Sequence, residues 1–134
     1  MGIILDTSVL IEYEKGRLDI ADFISGRENE MFGLSSVSIA ELLHGVHRAD
    51  TESRRLRRSE FVEKVIESFP VFPFDLEGSR IYARVWADLL QKGIKIGAHD
   101  LMISATALSK KFSIATFNKR HFSEISGLKL KILE

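Results

Sequence analysis

The stretch "IILDTSVLIE", residues 3–12, places one carboxylate, Asp6, between an apolar run and a segment with helical spacing. Residues 2–5 form a continuous apolar run, which is typical of a strand buried on both faces of a parallel sheet. The apolar residues after Asp6 recur at the spacing of an amphipathic helix, which is expected to end near Gly16. A buried strand that leads directly into a helix is the opening unit of an α/β domain.

The same alternation of strand and helix signals continues along the chain. Strands are predicted at "FGLSSVS", "VFPF", "FSIATF" and "LKLKIL", with "VFPF" at a sheet edge because proline cannot donate a ladder hydrogen bond. Between them, apolar periodicity predicts helices over residues 52–68 and 76–91. The alternation favours a three-layer α/β domain with a mostly parallel sheet over an all-α bundle. At this length, residues 1–134 are expected to form one domain.

Two further helix starts are predicted from local signals. Ser38 and Glu41 have the spacing of a capping box, which predicts that the helix "IAELLHGVHRA" opens there. Asp100 follows a predicted loop and is expected to begin the apolar helix "LMISATALSKK".

The composition excludes some classes of protein and leaves others open. The chain contains no cysteine, so disulfides and thiolate metal sites are excluded, which is compatible with a reducing cytoplasm. Nineteen basic and nineteen acidic residues give no net charge, so a polyanionic partner would have to be attracted by a local patch. No signal peptide and no apolar run long enough to span a bilayer is present, which predicts a cytoplasmic protein without a membrane partner.

Three acids, Asp6, Glu41 and Asp100, stand at predicted junctions that lead into helices. Each has a structural explanation: Asp6 as a helix cap, Glu41 as the capping-box partner of Ser38, and Asp100 as an acid in the first turn of a helix. Taken together they favour another interpretation, because ligands of open α/β sheets bind at the carboxyl ends of the strands. Clustered carboxylates repel unless they share a divalent cation, and oxygen-only ligands suit Mg²⁺ or Mn²⁺. Such a cation can polarise a phosphoryl oxygen and generate hydroxide for attack on a phosphodiester.

Four segments, "IILDTSVLIE", "SSVSIAELLHG", "IKIGAHDLMISATALSKK" and "IATFNKRHFSEISGLKL", together resemble the PIN-domain ribonucleases, specifically the VapC-like toxins of toxin–antitoxin modules. The resemblance covers nearly the whole chain. It implies a parallel five-stranded sheet and a magnesium-dependent endoribonuclease that cuts RNA, with tRNA and rRNA loops among the candidate substrates. It also implies a homodimer and inhibition by a cognate VapB-like antitoxin. The residues it implies for catalysis are Asp6 and Asp100 as metal ligands and Glu41 as a ligand or as the base that activates water. Asn118 is expected to assist them.

The chain departs from the family pattern at one position. Members often carry a fourth acid in the segment matching "TFNKRHF", where the candidates here are Asn118 and His121. Asn118 can ligate through its carbonyl or orient a water molecule, and Thr116 offers a hydroxyl. The departure predicts one firmly bound Mg²⁺, replaceable by Mn²⁺, rather than two.

Two other functions remain open at this stage. A non-catalytic module would keep the fold and bind RNA or a partner without turnover. A haloacid-dehalogenase-like phosphatase also begins with an Asp at a strand end, but it needs a second Asp where Ser8 stands.

A basic run, "HRADTESRRLRR", and two histidines, His44 and His99, have more than one explanation. The run is either a solvated helix face or a surface for RNA phosphates or a partner. The histidines are expected beside the three acids, as hydrogen-bond donors or as general acids.

Overall fold

The computed structural model describes residues 1–134 and consists of five strands and seven helices. The strands are β1 (Gly2–Leu5), β2 (Met31–Ser35), β3 (Val71–Phe72), β4 (Ser113–Thr116) and β5 (Leu130–Ile132). The helices are α1 (Thr7–Glu14), α2 (Ile20–Ile24), α3 (Ser36–His47), α4 (Glu52–Ser68), α5 (Leu76–Gln91), α6 (Ala98–Lys110) and α7 (Lys119–Phe122). No helix is long and apolar enough to cross a bilayer.

The strands form a single parallel sheet in the order β3-β2-β1-β4-β5. The first strand of the chain therefore lies in the centre, between β2 and β4. Because all strands run in the same direction, their carboxyl ends meet at one edge of the sheet. The predicted five-stranded α/β fold is confirmed, as is the edge position of β3.

The core lies on both faces of the sheet. Along β1, Ile3 and Leu5 belong to one apolar cluster, whereas Ile4 belongs to a second cluster. The first cluster includes residues of α1, α3 and α4, and the second includes residues of α5 and α6. This alternation explains the continuous apolar run of β1, since successive side chains of a strand point to opposite faces and both faces are covered here.

Two predicted helix starts are wrong by a few residues. The helix α3 begins at Ser36 and is capped by Ser35, whose Oγ accepts a hydrogen bond from the Val37 N–H. Ser38 is buried inside the helix, so it forms no capping box with Glu41. The helix α6 begins at Ala98 rather than Asp100, with Gly97 as its N-cap. The short helix α7 has no counterpart among the predicted elements, because four residues are too few for a periodic signal.

Candidate active site

Asp6 lies at the carboxyl end of β1, and its side chain is almost fully buried, with 2% exposure. It occupies the N-cap position of α1 but makes no side-chain capping hydrogen bond. Instead, its Oδ2 accepts hydrogen bonds of 2.8 Å from Ser8 Oγ and 2.8 Å from Thr116 Oγ1. The explanation of Asp6 as a helix cap therefore fails, since its carboxylate is held by two hydroxyl groups.

The sheet register explains why Thr116 reaches Asp6. Leu5 of β1 is paired with Ala115 of β4, so the next residue on each strand stands at the same sheet edge. The hydroxyls are fixed in turn, because Ser8 Oγ accepts from the Phe117 N–H at 3.1 Å and Thr116 Oγ1 accepts from the Asn118 N–H at 2.9 Å. The carboxylate is thus oriented before any ligand binds.

Glu41 projects from α3 and is half-buried, with 31% of its side chain exposed. Thr7 Oγ1, in the first turn of α1, donates to Glu41 Oε1 at 2.6 Å, and Ser38 Oγ lies 2.9 Å from the same Thr7 oxygen. The other Glu41 oxygen, Oε2, lies 3.4 Å from His99 Nδ1. The predicted location of His99 beside the acids is therefore correct, and Thr7 is a contact that sequence reasoning missed.

Asp100 lies in the first turn of α6, and its Oδ2 is 2.9 Å from Nδ1 of His121 on α7. Burial raises the pKa of Asp100 above its usual range, and the negative charges of Asp6 and Glu41 raise it further, whereas His121 opposes the rise. The electrostatic effect requires the three carboxylates to be near one another. The structure thus brings together the three acids that the sequence singled out.

Asn118 occupies the N-cap position of α7, but its side chain is exposed and makes no capping hydrogen bond. Asn118 is linked to the three acids through its backbone N–H, which donates to Thr116 Oγ1, the hydroxyl that donates to Asp6. Of the two candidates for the fourth acid position, His121 is the one whose side chain contacts an acid of the cluster.

None of the three acids pairs with a lysine or an arginine. The basic side chains that contact them are the imidazoles of His99, next to Glu41, and His121, next to Asp100. No group of three or more His, Asp or Glu side chains is arranged so that it could hold a metal ion.

A family model described as the PIN domain matches residues 3–128. Ribonuclease VapC1 of Rickettsia felis is 36% identical over 133 residues, which cover 97% of this chain and 95% of that protein. The tRNA(fMet)-specific endonuclease VapC of Salmonella typhimurium is 29% identical over 98 residues, or 73% of this chain and 72% of that protein. The crystal structure of DNA-bound VapBC from Salmonella typhimurium superposes with a TM-score of 0.89 at 25% identity, over 98% of both chains.

The chain therefore belongs to the PIN-domain family, among the VapC ribonucleases. The predicted family and the predicted class of enzyme, a nuclease, are confirmed, and the phosphatase alternative is set aside. Dependence on a divalent metal is a general property of this family.

Proposed function

We propose that this chain is a magnesium-dependent endoribonuclease that acts as the toxin of a toxin–antitoxin pair and is inhibited by a VapB-like antitoxin. The observation that carries the proposal is the buried Asp6 carboxylate, which two hydroxyls hold at the sheet edge. Asp6 and Glu41 are near enough to Asp100 for their charges to raise its pKa, and no lysine or arginine neutralises the three acids. Like charges brought together in a half-buried site are the arrangement that a divalent cation stabilises.

The donor set fits one hard cation. Asp6 and Asp100 would hold it, since Mg²⁺ is commonly bound through one or two carboxylates and keeps several water molecules. Mn²⁺ is expected to substitute because it accepts the same oxygen ligands.

The bound cation would polarise a phosphoryl oxygen and lower the pKa of a water molecule. Glu41 is the base that takes a proton from the attacking water, and the hydrogen bond from Thr7 Oγ1 fixes its carboxylate in position. As the water oxygen bonds to phosphorus, the bond from phosphorus to the leaving ribose oxygen breaks. Asn118 assists by orienting water or substrate through its exposed amide.

The partners follow from the same proposal. RNA is the substrate, with single-stranded tRNA or rRNA loops as the favoured class because bases there are accessible. A VapB-like antitoxin inhibits the enzyme. This is supported by the structural similarity of this chain to one chain of the VapBC structure from Salmonella typhimurium. The protein is proposed to act in the cytoplasm as a homodimer.

The test uses purified protein, free of antitoxin, incubated with total cellular RNA in Mg²⁺, in Mn²⁺ or in EDTA, with new 5′ ends mapped by sequencing. Discrete cuts that require the metal and disappear in Asp6→Asn are expected. Thr106→Val is the matched control, because Thr106 is equally buried but lies in the middle of α6 and bonds only its own helix. Metal-independent cuts, or cuts that survive in Asp6→Asn, would refute the proposed site.

The absence of cuts from a folded protein that binds Mg²⁺ would favour the alternative of a non-catalytic RNA- or partner-binding module. Asn118 gives that alternative its only support, since it supplies no carboxylate at the position where relatives often have one. Asn118→Asp would then be the variant in which to look for restored cleavage.

A further inference from the structure

A cavity of about 480 Å³ lies beside Glu41, between α1, α3 and α4. Its wall includes Thr7, Glu41 and His99 of the candidate active site, together with the basic residues Arg48 and Arg58. The volume is within the range of pockets that hold small organic ligands, and a nucleotide is of that size. The cavity therefore opens directly from the proposed reaction centre.

A second cavity of about 500 Å³ lies next to the first one. The two share Glu14, Lys15 and Arg58 in their walls, and the second adds Arg54 and Arg57. We call these two neighbouring cavities together the basic groove and define it by four cations in their walls, Lys15, Arg48, Arg57 and Arg58. It runs from Glu41 along α4, the helix that carries most of the basic run singled out in the sequence.

The structure divides that basic run into two sets of residues. Arg54 and Arg55 pair with acids of their own segment, at 2.8 Å to Asp50 and 2.7 Å to Glu52. The four residues of the basic groove pair with no carboxylate. The cavity walls also contain Glu14 and Glu41, so four unpaired cations against two acids leave a positive surplus in the groove, although the chain as a whole has none.

The groove is held in shape by its wall and its floor. Arg58 Nη1 donates a hydrogen bond of 2.8 Å to the carbonyl oxygen of Gly45 on α3, which fixes one guanidinium between the two helices. Ile11, Leu42 and Val62 supply an apolar floor. A fixed cation above an apolar floor suits a nucleotide, whose phosphate binds the charge while its ribose or base packs on the floor.

We propose that the basic groove binds the single-stranded RNA segment on one side of the scissile bond, with its phosphates on Arg48, Arg57 and Lys15. The inference rests on the proposed function and adds to it the path of the substrate. A protein segment could fill an apolar floor equally well, but the unpaired cations favour a polyanion.

The test compares two double variants that lose the same charge. Arg48→Gln with Arg57→Gln removes two cations of the basic groove. Arg55→Gln with Arg84→Gln removes two exposed cations of α4 and α5 that line neither cavity. All four side chains are exposed, so both proteins are expected to fold, which melting curves will establish.

Binding is measured in an Asp6→Asn background with a fluorescein-labelled single-stranded RNA of about 15 nucleotides, by anisotropy over a range of salt concentrations. Each phosphate contact on a single strand contributes about 0.7 to the slope of log K against log salt, so losing two lowers the slope by about 1.4. At 0.15 M salt the same loss weakens binding about tenfold. The control pair should retain the wild-type slope and affinity.

The second readout is the cleavage of the same RNA by the groove and control variants made in the protein that retains Asp6. The groove variants should raise KM with kcat unchanged, because the contacts are made before and during the chemical step.

If the groove pair and the control pair bind and cleave alike, the inference is wrong while the proposed function stands. If the groove pair weakens only the complex with the VapB-like antitoxin, the inference is also overturned and the groove belongs to the protein partner. If the wild type does not cut RNA at all, the proposed function fails, and the salt slopes still decide whether the groove binds RNA.

Discussion

Replacing Thr116 with valine should destabilise the protein by removing one hydroxyl that holds the Asp6 carboxylate. Thr116 is fully buried, and its Oγ1 donates to Asp6 Oδ2 at 2.8 Å while accepting from the Asn118 N–H at 2.9 Å. Valine has nearly the same shape, so the packing of β4 is kept and the loss is confined to hydrogen bonds. Ser8 remains as a donor to Asp6 Oδ2.

The magnitude follows from the charge of the acceptor. A hydrogen bond to a charged group contributes about 1.5–3 kcal/mol to the free energy of unfolding. For a chain of 134 residues, with an unfolding entropy of about 2.1 cal/mol/K per residue, a loss of about 2 kcal/mol lowers Tm by about 7 °C. Urea denaturation at neutral pH in EDTA, together with calorimetry, measures both quantities.

The chain offers a matched control in Thr106. It is buried to the same degree, with 1% exposure, but its Oγ1 donates to the Met102 carbonyl within α6, which is a neutral acceptor. Thr106→Val is expected to cost less than about 1 kcal/mol. In an Asp6→Asn background the cost of Thr116→Val should fall to about 1 kcal/mol, because the acceptor is then neutral. Equal losses for the two valine variants, or no coupling to Asp6→Asn, would refute the assigned role of Thr116.

Three further results are expected. Because the pKa of Asp100 is raised on folding, its ionisation destabilises the folded protein as the pH rises above the usual value of 3.8. Asp100→Asn should therefore be more stable than the wild type at pH 7 in EDTA, with a difference that shrinks towards pH 4. Lower stability of the variant in urea melts at pH 7 would contradict this. Calorimetric titration with Mn²⁺ should show one tight site. Asp100→Asn should weaken binding at this site, whereas the control Arg84→Gln should leave it unchanged. Two equivalent tight sites would overturn the single-cation arrangement. Gly33→Ala should cost about 1–3 kcal/mol, because the new Cβ would overlap the Phe72 ring. A stability within about 0.5 kcal/mol of the wild type in urea melts would show that the ring moves aside at little cost.

The regular elements were predictable where their signals were long and repeated. The helices over 52–68 and 76–91 have the predicted bounds, because several turns of apolar periodicity define them. Short signals were less reliable. Ser38 and Glu41 have capping-box spacing, yet Ser35 at the end of β2 caps the helix first, and the chain turns into α3 without an intervening loop.

The sequence by itself determined the parallel α/β architecture, the position of Asp6 at the end of a buried strand, and the choice of Asp6, Glu41 and Asp100 as the acids of interest. Only the tertiary structure decided how those acids are held. Thr116 is 110 residues from Asp6, and Thr7 is 34 residues from Glu41. Such contacts depend on the order of the strands in the sheet, which places β4 beside β1 and which local periodicity does not specify. The cavity walls that bring Lys15 close to Arg57 and Arg58 have the same origin, because they are formed by different helices, α1 and α4.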